Sequence, residues 1–181
     1  MLKADLMLTL SDHEHNGDVH APYVADPSFR VATVDWHASR PGSGDISASS
    51  MVSDFSLDGS QKIVWHTGPN PCMAVYYPVI FHHDGHVSEI PPFLLNGSAW
   101  YGFRHVAYDL AGTDNLKIKQ VQDTWRPIQL QFFEQAEQAA VQAGNMTVDE
   151  AAVMLAAVLS NISNTIQTTL LHLNRTLDLA R

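Results

Sequence analysis

Residues 47–81, SASSMVSDFSLDGSQKIVWHTGPNPCMAVYYPVIF, decide how this chain is read. SASSMVSDFSL (47–57) alternates small and polar residues with Met51, Val52, Phe55 and Leu57, the period-2 pattern of a strand. LDGSQ (57–61) contains Asp-Gly, the dipeptide whose backbone freedom best suits a tight hairpin. KIVWHTG (62–68) is predicted as the return strand, and GPNP (68–71) breaks it. CMAVYYPVIF (72–81) is predicted as a third strand, apolar enough for both sheet faces to be covered. Pro78 cannot donate a ladder hydrogen bond, which puts that strand's far end at an edge or bulge.

Upstream, residues 1–10 read as a short amphipathic helix or strand and SDHEHNGDVHAPY (11–23) as a polar loop. FRVATVDWHA (29–38) alternates as a half-buried strand, and PGSGD (41–45) is a turn. Downstream the period changes. HHDGHVSEIPPF (82–93) reads as a loop, and residues 97–111 space Trp100, Phe103, Val106, Ala107 and Leu110 as a helix does. LKIKQVQDTW (116–125) is ambiguous. Residues 126–145 are predicted helical, with Pro127 in the first turn, where proline is tolerated, and a stop at Gly144-Asn145. Thr147 with Glu150 forms a capping box. Leu155, Leu159, Ile162, Ile166, Leu170, Leu173 and Leu177 then make one stripe of a long helix, ordinarily a core face and less often a dimer interface. Strands first and helices after indicate an α+β fold, an antiparallel sheet with helices on its faces. No repeat or linker divides the 181 residues, so the chain is one domain or the C-terminal part of a larger one.

Ten basic against nineteen acidic residues give a net charge of −9, and no basic cluster offsets it. Phosphate is repelled, so nucleic acid is not an expected partner. No apolar run approaches the roughly 20 residues of a membrane span, and MLKADLMLTL is too short, and too soon followed by DHEH, to be read as a convincing signal peptide. A single cysteine suits a reducing compartment, so a cytoplasmic location is expected. Sequons at Asn96, Asn145, Asn161 and Asn174 are read as chance in that setting.

Ten histidines invite a search for metal ligands. Asp12, His13, Glu14, His15, Asp18 and His20 form one group, and His82, His83, Asp84 and His86 another. Neither follows a recognised ligand spacing, so solvated loop histidines are expected, with no metal and no other cofactor. Cys72 opens an apolar run, where a thiol behaves as a small hydrophobe rather than an activated nucleophile. Ser49, Ser50 and Ser53 lie in no nucleophile elbow. Asp35 and His37 would share a strand face as a conceivable acid/base pair.

Three stretches carry a family resemblance. LMLTLSDHEHNGD (6–18) is similar to the leucine-rich segment and Arg-Asp-His loop of the C69 dipeptidase and secernin group, with Ser11 in place of the arginine and Asp12-His13 retained. SASSMVSDF (47–55) resembles that group's Ser-Ser-Met-Val-Ser strand through Ser49, Ser50, Met51, Val52 and Ser53. IVWHTGPNPCMAVYYPVIF (63–81) resembles its strand, elbow and strand through Trp65, Gly68, Pro71, Val75 and Pro78. Trp125-Arg126 is compatible with it. The match runs in order over roughly residues 6–81.

The resemblance implies an N-terminal-nucleophile hydrolase with an αββα sandwich, acting on peptide or amide bonds. In that group the nucleophile is an N-terminal cysteine whose α-amine, with a pKa near about 8, serves as base. The matched segments belong to the C-terminal half of such a fold. The implied chain is therefore a hydrolase fragment or subunit, inactive alone, and no catalytic residue carries over. Asp12, His13, Ser50 and Asn70 are the candidate substrate-binding residues. The expected partners are a complementary N-terminal hydrolase segment or further copies of the chain, with a peptide-like substrate once the site is complete. A non-catalytic interaction domain on the same scaffold is the alternative, and a metal-dependent hydrolase using the histidine loops is a weaker one.

Overall fold

The computed structural model describes residues 50–55, 62–82, 87–112 and 114–179. The readings of residues 1–10, 11–23, 29–38 and 41–45, and the Asp-Gly turn at 57–61, lie outside them.

Three strands form one antiparallel sheet: β1 (Ser50–Phe55), β2 (Lys62–Thr67) and β3 (Tyr77–Phe81), in the order β1-β2-β3. The register places Ser50 opposite Thr67, Val52 opposite Trp65, and Trp65 opposite Pro78. Alternation along β2 buries Ile63, Trp65 and Thr67 on the inner face and leaves Lys62, Val64 and His66 half-buried on the other. Pro78 sits within β3, an edge of the described sheet, where its missing N–H costs no ladder bond.

The third strand is shorter than its hydrophobicity predicts. Residues 74–76 are not in a strand, and Pro71–Met73 form a 3₁₀ turn. Proline sets the first φ of that turn, and Asn70 just before it takes a left-handed conformation (φ 54°), which ends the extended path. An apolar run alone could not reveal this, since buried turns and buried strands share composition.

Helix α1 (Pro92–Leu95) lies inside the segment read as a loop, and α2 (Ser98–Arg104) continues into a π-helical stretch, His105–Ala111. Helix α3 runs from Asn115 to Ala143, so the ambiguous segment 116–125 is helical. Pro127 therefore lies inside the helix, not in its first turn. The true start is set by Asp114, whose side chain accepts from the backbone N–H of Leu116 (2.9 Å) and Lys117 (3.3 Å). Burial of Ile118, Val121 and Trp125 offsets the one helical bond that Pro127 cannot donate.

Helix α4 (Val148–Asp178) begins at the expected capping box: Glu150 N–H donates to Thr147 Oγ1 (3.4 Å), and Thr147 N–H donates to Glu150 Oε2 (3.0 Å). The Thr147 hydroxyl, donating to Glu150 Oε2 at 2.7 Å, and the Thr147 N–H hold the Glu150 carboxyl below its ordinary pKa. All seven stripe residues from Leu155 to Leu177 are buried, so the stripe is core. Helices α3 and α4 pack as an antiparallel hairpin, with Lys117 Nζ donating to the Leu177 carbonyl at 3.2 Å. Against them lies the sheet's inner face: Trp65 meets Phe133 of α3 edge-on, at 4.8 Å between ring centroids. The fold is thus α+β, with a small sheet and a mostly helical remainder.

Candidate functional site

The polar groups worth reading gather where β2 leaves the sheet. Gly68 follows Thr67 because the chain there runs under Phe103: a Cβ on Gly68 would lie 2.8 Å from Phe103 Cδ2. Phe103 in turn stacks edge-on against Trp125, at 5.5 Å between centroids. Asn70, only 2% exposed, sits at the tip of this elbow. Its carbonyl accepts from Met73 N–H at 2.8 Å, and its Oδ1 accepts from the Tyr108 hydroxyl at 2.8 Å. The π-helical stretch supplies that tyrosine, so helix and elbow are fixed to each other.

Beyond the turn, Gln129 of α3 takes the place of a neighbouring strand. Its Oε1 accepts from Tyr76 N–H at 2.6 Å, and its Nε2 donates to the Tyr76 carbonyl at 3.1 Å. Both backbone groups of a buried residue outside the ladder are thereby satisfied. Tyr76 then reaches back to β1, where its hydroxyl donates to Ser50 Oγ at 2.8 Å. Ser50 and Asn70, two of the residues singled out from sequence, therefore both accept from tyrosine hydroxyls at this end of the sheet. Asp12 and His13 lie outside the described residues.

Some polar atoms here have no hydrogen-bond partner among the described residues. Thr67 Oγ1, Trp65 Nε1 and Trp125 Nε1 are all buried in that condition. Cys72 lies within the 3₁₀ turn and is buried, without a disulfide.

The outer face holds a different pair. Met51, His66 and Tyr77 form one cross-strand row. His66 Nδ1 and the Tyr77 hydroxyl are 2.8 Å apart. Burial pushes the tyrosine up to about 12 and the imidazole below its ordinary value. A neutral imidazole accepting from a protonated phenol satisfies both directions. The pair leaves no thiolate or carboxylate poised for attack; its chemistry is that of a neutral donor and acceptor.

Among the described residues, no three His, Cys, Asp or Glu side chains come together to hold a metal ion. Most of the two histidine groups lies outside those residues; of the second, His82 is described and buried. No described helix is long and apolar enough to cross a membrane.

Thr67, Tyr76, Tyr108 and Gln129 went unnoticed in the sequence. Each acts across a gap of tens of residues or through a register set by pairing, and no local pattern marks such partners. The one available signal was the Gly-Pro-Asn-Pro elbow, which fixes where strand and helices must meet. No family model, curated protein or solved structure matches the chain.

Proposed function

We propose that this chain forms the helix-backed layer of an amidohydrolase related to the C69 dipeptidases, acting on peptide or amide bonds when a cysteine nucleophile is supplied from outside this sequence. The observation that supports it most is the two-faced build of the sheet. Its inner face packs on α3 through Trp65 and Phe133, whereas its outer face carries half-buried Val64, Val79 and Phe81 beside Met51, which is 65% exposed. A helix layer behind a sheet whose other face exposes apolar side chains among Lys62, Ser53 and His66 is what one half of an αββα sandwich would present to the second sheet. Cys72, the only cysteine in the sequence, is buried in a turn and is not the nucleophile of this reading.

The test is made on the natively expressed protein. Its intact mass should exceed the 20.0 kDa of this chain, through a longer polypeptide or a stable complex with a cysteine-initiated chain. That species should hydrolyse dipeptides and lose activity on thiol alkylation, while the 181-residue chain alone is silent. Alkylation-sensitive turnover by the isolated chain, abolished in Cys72→Ser, overturns this assignment of the nucleophile. A native species of 20.0 kDa without amide hydrolysis favours the second reading, a non-catalytic interaction domain. What supports that second reading is that Ser50 and Asn70 both engage in internal hydrogen bonds.

A further inference from the structure

We infer that the solvent-facing side of helix α4 pairs with the same side of a second copy of this chain, the two helices running antiparallel about a two-fold axis level with Ile162 and Ser163. The stripe from Leu155 to Leu177 faces the core. At about 100° per residue, the opposite side carries Val153, Ala157, Asn161, Asn164, Thr168 and Leu171, all exposed. Val153 is 75% exposed and Leu171 is 52% exposed. Their spacing of three or four residues keeps one seam on one side of a helix over many turns. No Asp, Glu, Lys or Arg occurs in residues 151–174. A helix with one face in the core ordinarily carries charge on the other. Helix α3 does so, exposing Lys119, Asp123, Arg126, Glu134 and Glu137. On α4 that charge is missing over a seam about 27 Å long.

The order of residues along the seam points to its occupant. A two-fold axis between antiparallel helices brings together residues that lie equally far from it on either side. That axis sets Asn161 beside the second copy's Asn164, Ala157 beside its Thr168, and Val153 beside its Leu171. Aliphatic meets aliphatic, and carboxamide meets carboxamide, whose N–H and C=O groups are complementary. The same axis sets Asp149 and Glu150, in the first turn of α4, beside Arg175 in the last turn of the second copy. All three are exposed, so opposite charges close the seam at both ends. Parallel pairing would set acid against acid and Arg175 against Arg175. A net charge of −9 opposes any self-association that leaves such repulsion in place. Asparagine at the centre fixes the register, at some cost in affinity. This pairing goes beyond the amidohydrolase reading and does not depend on it.

The experiment is sedimentation equilibrium of the full 181-residue chain. Its mass should rise reversibly with concentration from 20.0 kDa to twice that value. The midpoint should be on the order of 10 µM for so small an interface. Ala157→Glu puts a lone carboxylate into the seam and should weaken pairing by at least about tenfold. Arg175→Glu sets like charges against Asp149 and Glu150 and should weaken it by about tenfold. Both positions are exposed, so both variants should keep the parent's circular dichroism. Orientation is read by oxidative cross-linking. Val153→Cys mixed with Leu171→Cys should give a disulfide-linked pair. Neither should cross-link alone, because its two cysteines would stand about 27 Å apart across the axis. Cys72 is buried and does not compete. The inference is overturned if the chain stays at 20.0 kDa up to roughly 500 µM, or if Ala157→Glu associates as the parent does. It is equally overturned if the mixture fails to cross-link or if either cysteine variant cross-links by itself. The hydrolase reading is tested apart from this: its partner is a different chain with a second mass on denaturation, whereas the self-pair yields 20.0 kDa alone.

Discussion

The helical hairpin and the sheet elbow are held together by different means. Between α3 and α4, burial is almost wholly apolar and follows the helical period: Leu155, Leu159, Ile162 and Ile166 from one helix, and Phe132, Ala136 and Ala139 from the other. At the elbow, Thr67 and Asn70 are buried beside Pro69 and Pro71, and order comes from side chains reaching distant backbone, as Gln129 does to Tyr76 across 53 positions. The hairpin is stabilised by area removed from water, which tolerates small adjustments. The elbow is stabilised by specific pairs, and a specific pair broken inside the protein leaves an unsatisfied group behind.

Substitutions can break or sharpen that contrast, each read by urea denaturation. Phe132→Ala in the hairpin should cost the most, about 3–5 kcal/mol, since Phe132 is fully buried. Gln129→Met should cost about 2–3 kcal/mol, because it preserves bulk while orphaning the N–H and C=O of buried Tyr76. If Gln129→Met proved neutral, the elbow too would be held by packing alone.

One glycine substitution made in both regions gives a sharper test. Gly68→Ala drives a Cβ to 2.8 Å from the Phe103 ring, and should cost roughly 1–3 kcal/mol. Gly144→Ala, at the end of α3 with φ −63° and its nearest contact at 3.5 Å, should be neutral or stabilising by up to about 1 kcal/mol. Equal effects at the two sites would mean that the close approach under Phe103 does not constrain the elbow. Thr147→Ala removes the α4 cap and should cost about 1 kcal/mol.

The smallest expected effect is one of pH. Burial lowers the His66 pKa in the folded chain, so the unfolded chain takes up the proton first. The contribution of neutral His66 is complete above the unfolded value of about 6.5 and is lost as pH falls below it toward the folded value. His66→Gln should flatten the decline in stability between pH 7.5 and the mildly acidic range. An unchanged slope would show that the pair with Tyr77 does not couple folding to protons.

What could be read beforehand divides along the same line. The α4 stripe and the Thr147–Glu150 box were legible because their partners lie three or four residues away, within the reach of a helical turn. β1 and β2 were legible from alternation on either side of Asp-Gly. The start of α3 was misplaced because proline is a strong local signal, whereas the packing of Ile118, Val121 and Trp125 that outweighs it is tertiary. The third strand was drawn too long because Cys72 to Tyr76 are apolar, and hydrophobicity does not distinguish a buried 3₁₀ turn from a buried strand.

Of the candidate site, Ser50 and Asn70 were found and their partners were not. By itself the sequence determined local things: that β1, β2 and α4 form, where α4 is capped, and which of its faces is apolar. Period and capping are short-range consequences of backbone geometry. Only the tertiary structure decided that Tyr76 meets Ser50, that Tyr108 meets Asn70, and that Gln129 stands in for a strand. It also decided that Thr67 Oγ1 and Trp65 Nε1 are buried without a hydrogen-bond partner among the described residues. Those outcomes depend on how the helices are laid against the sheet, a choice made by the packing of the whole core.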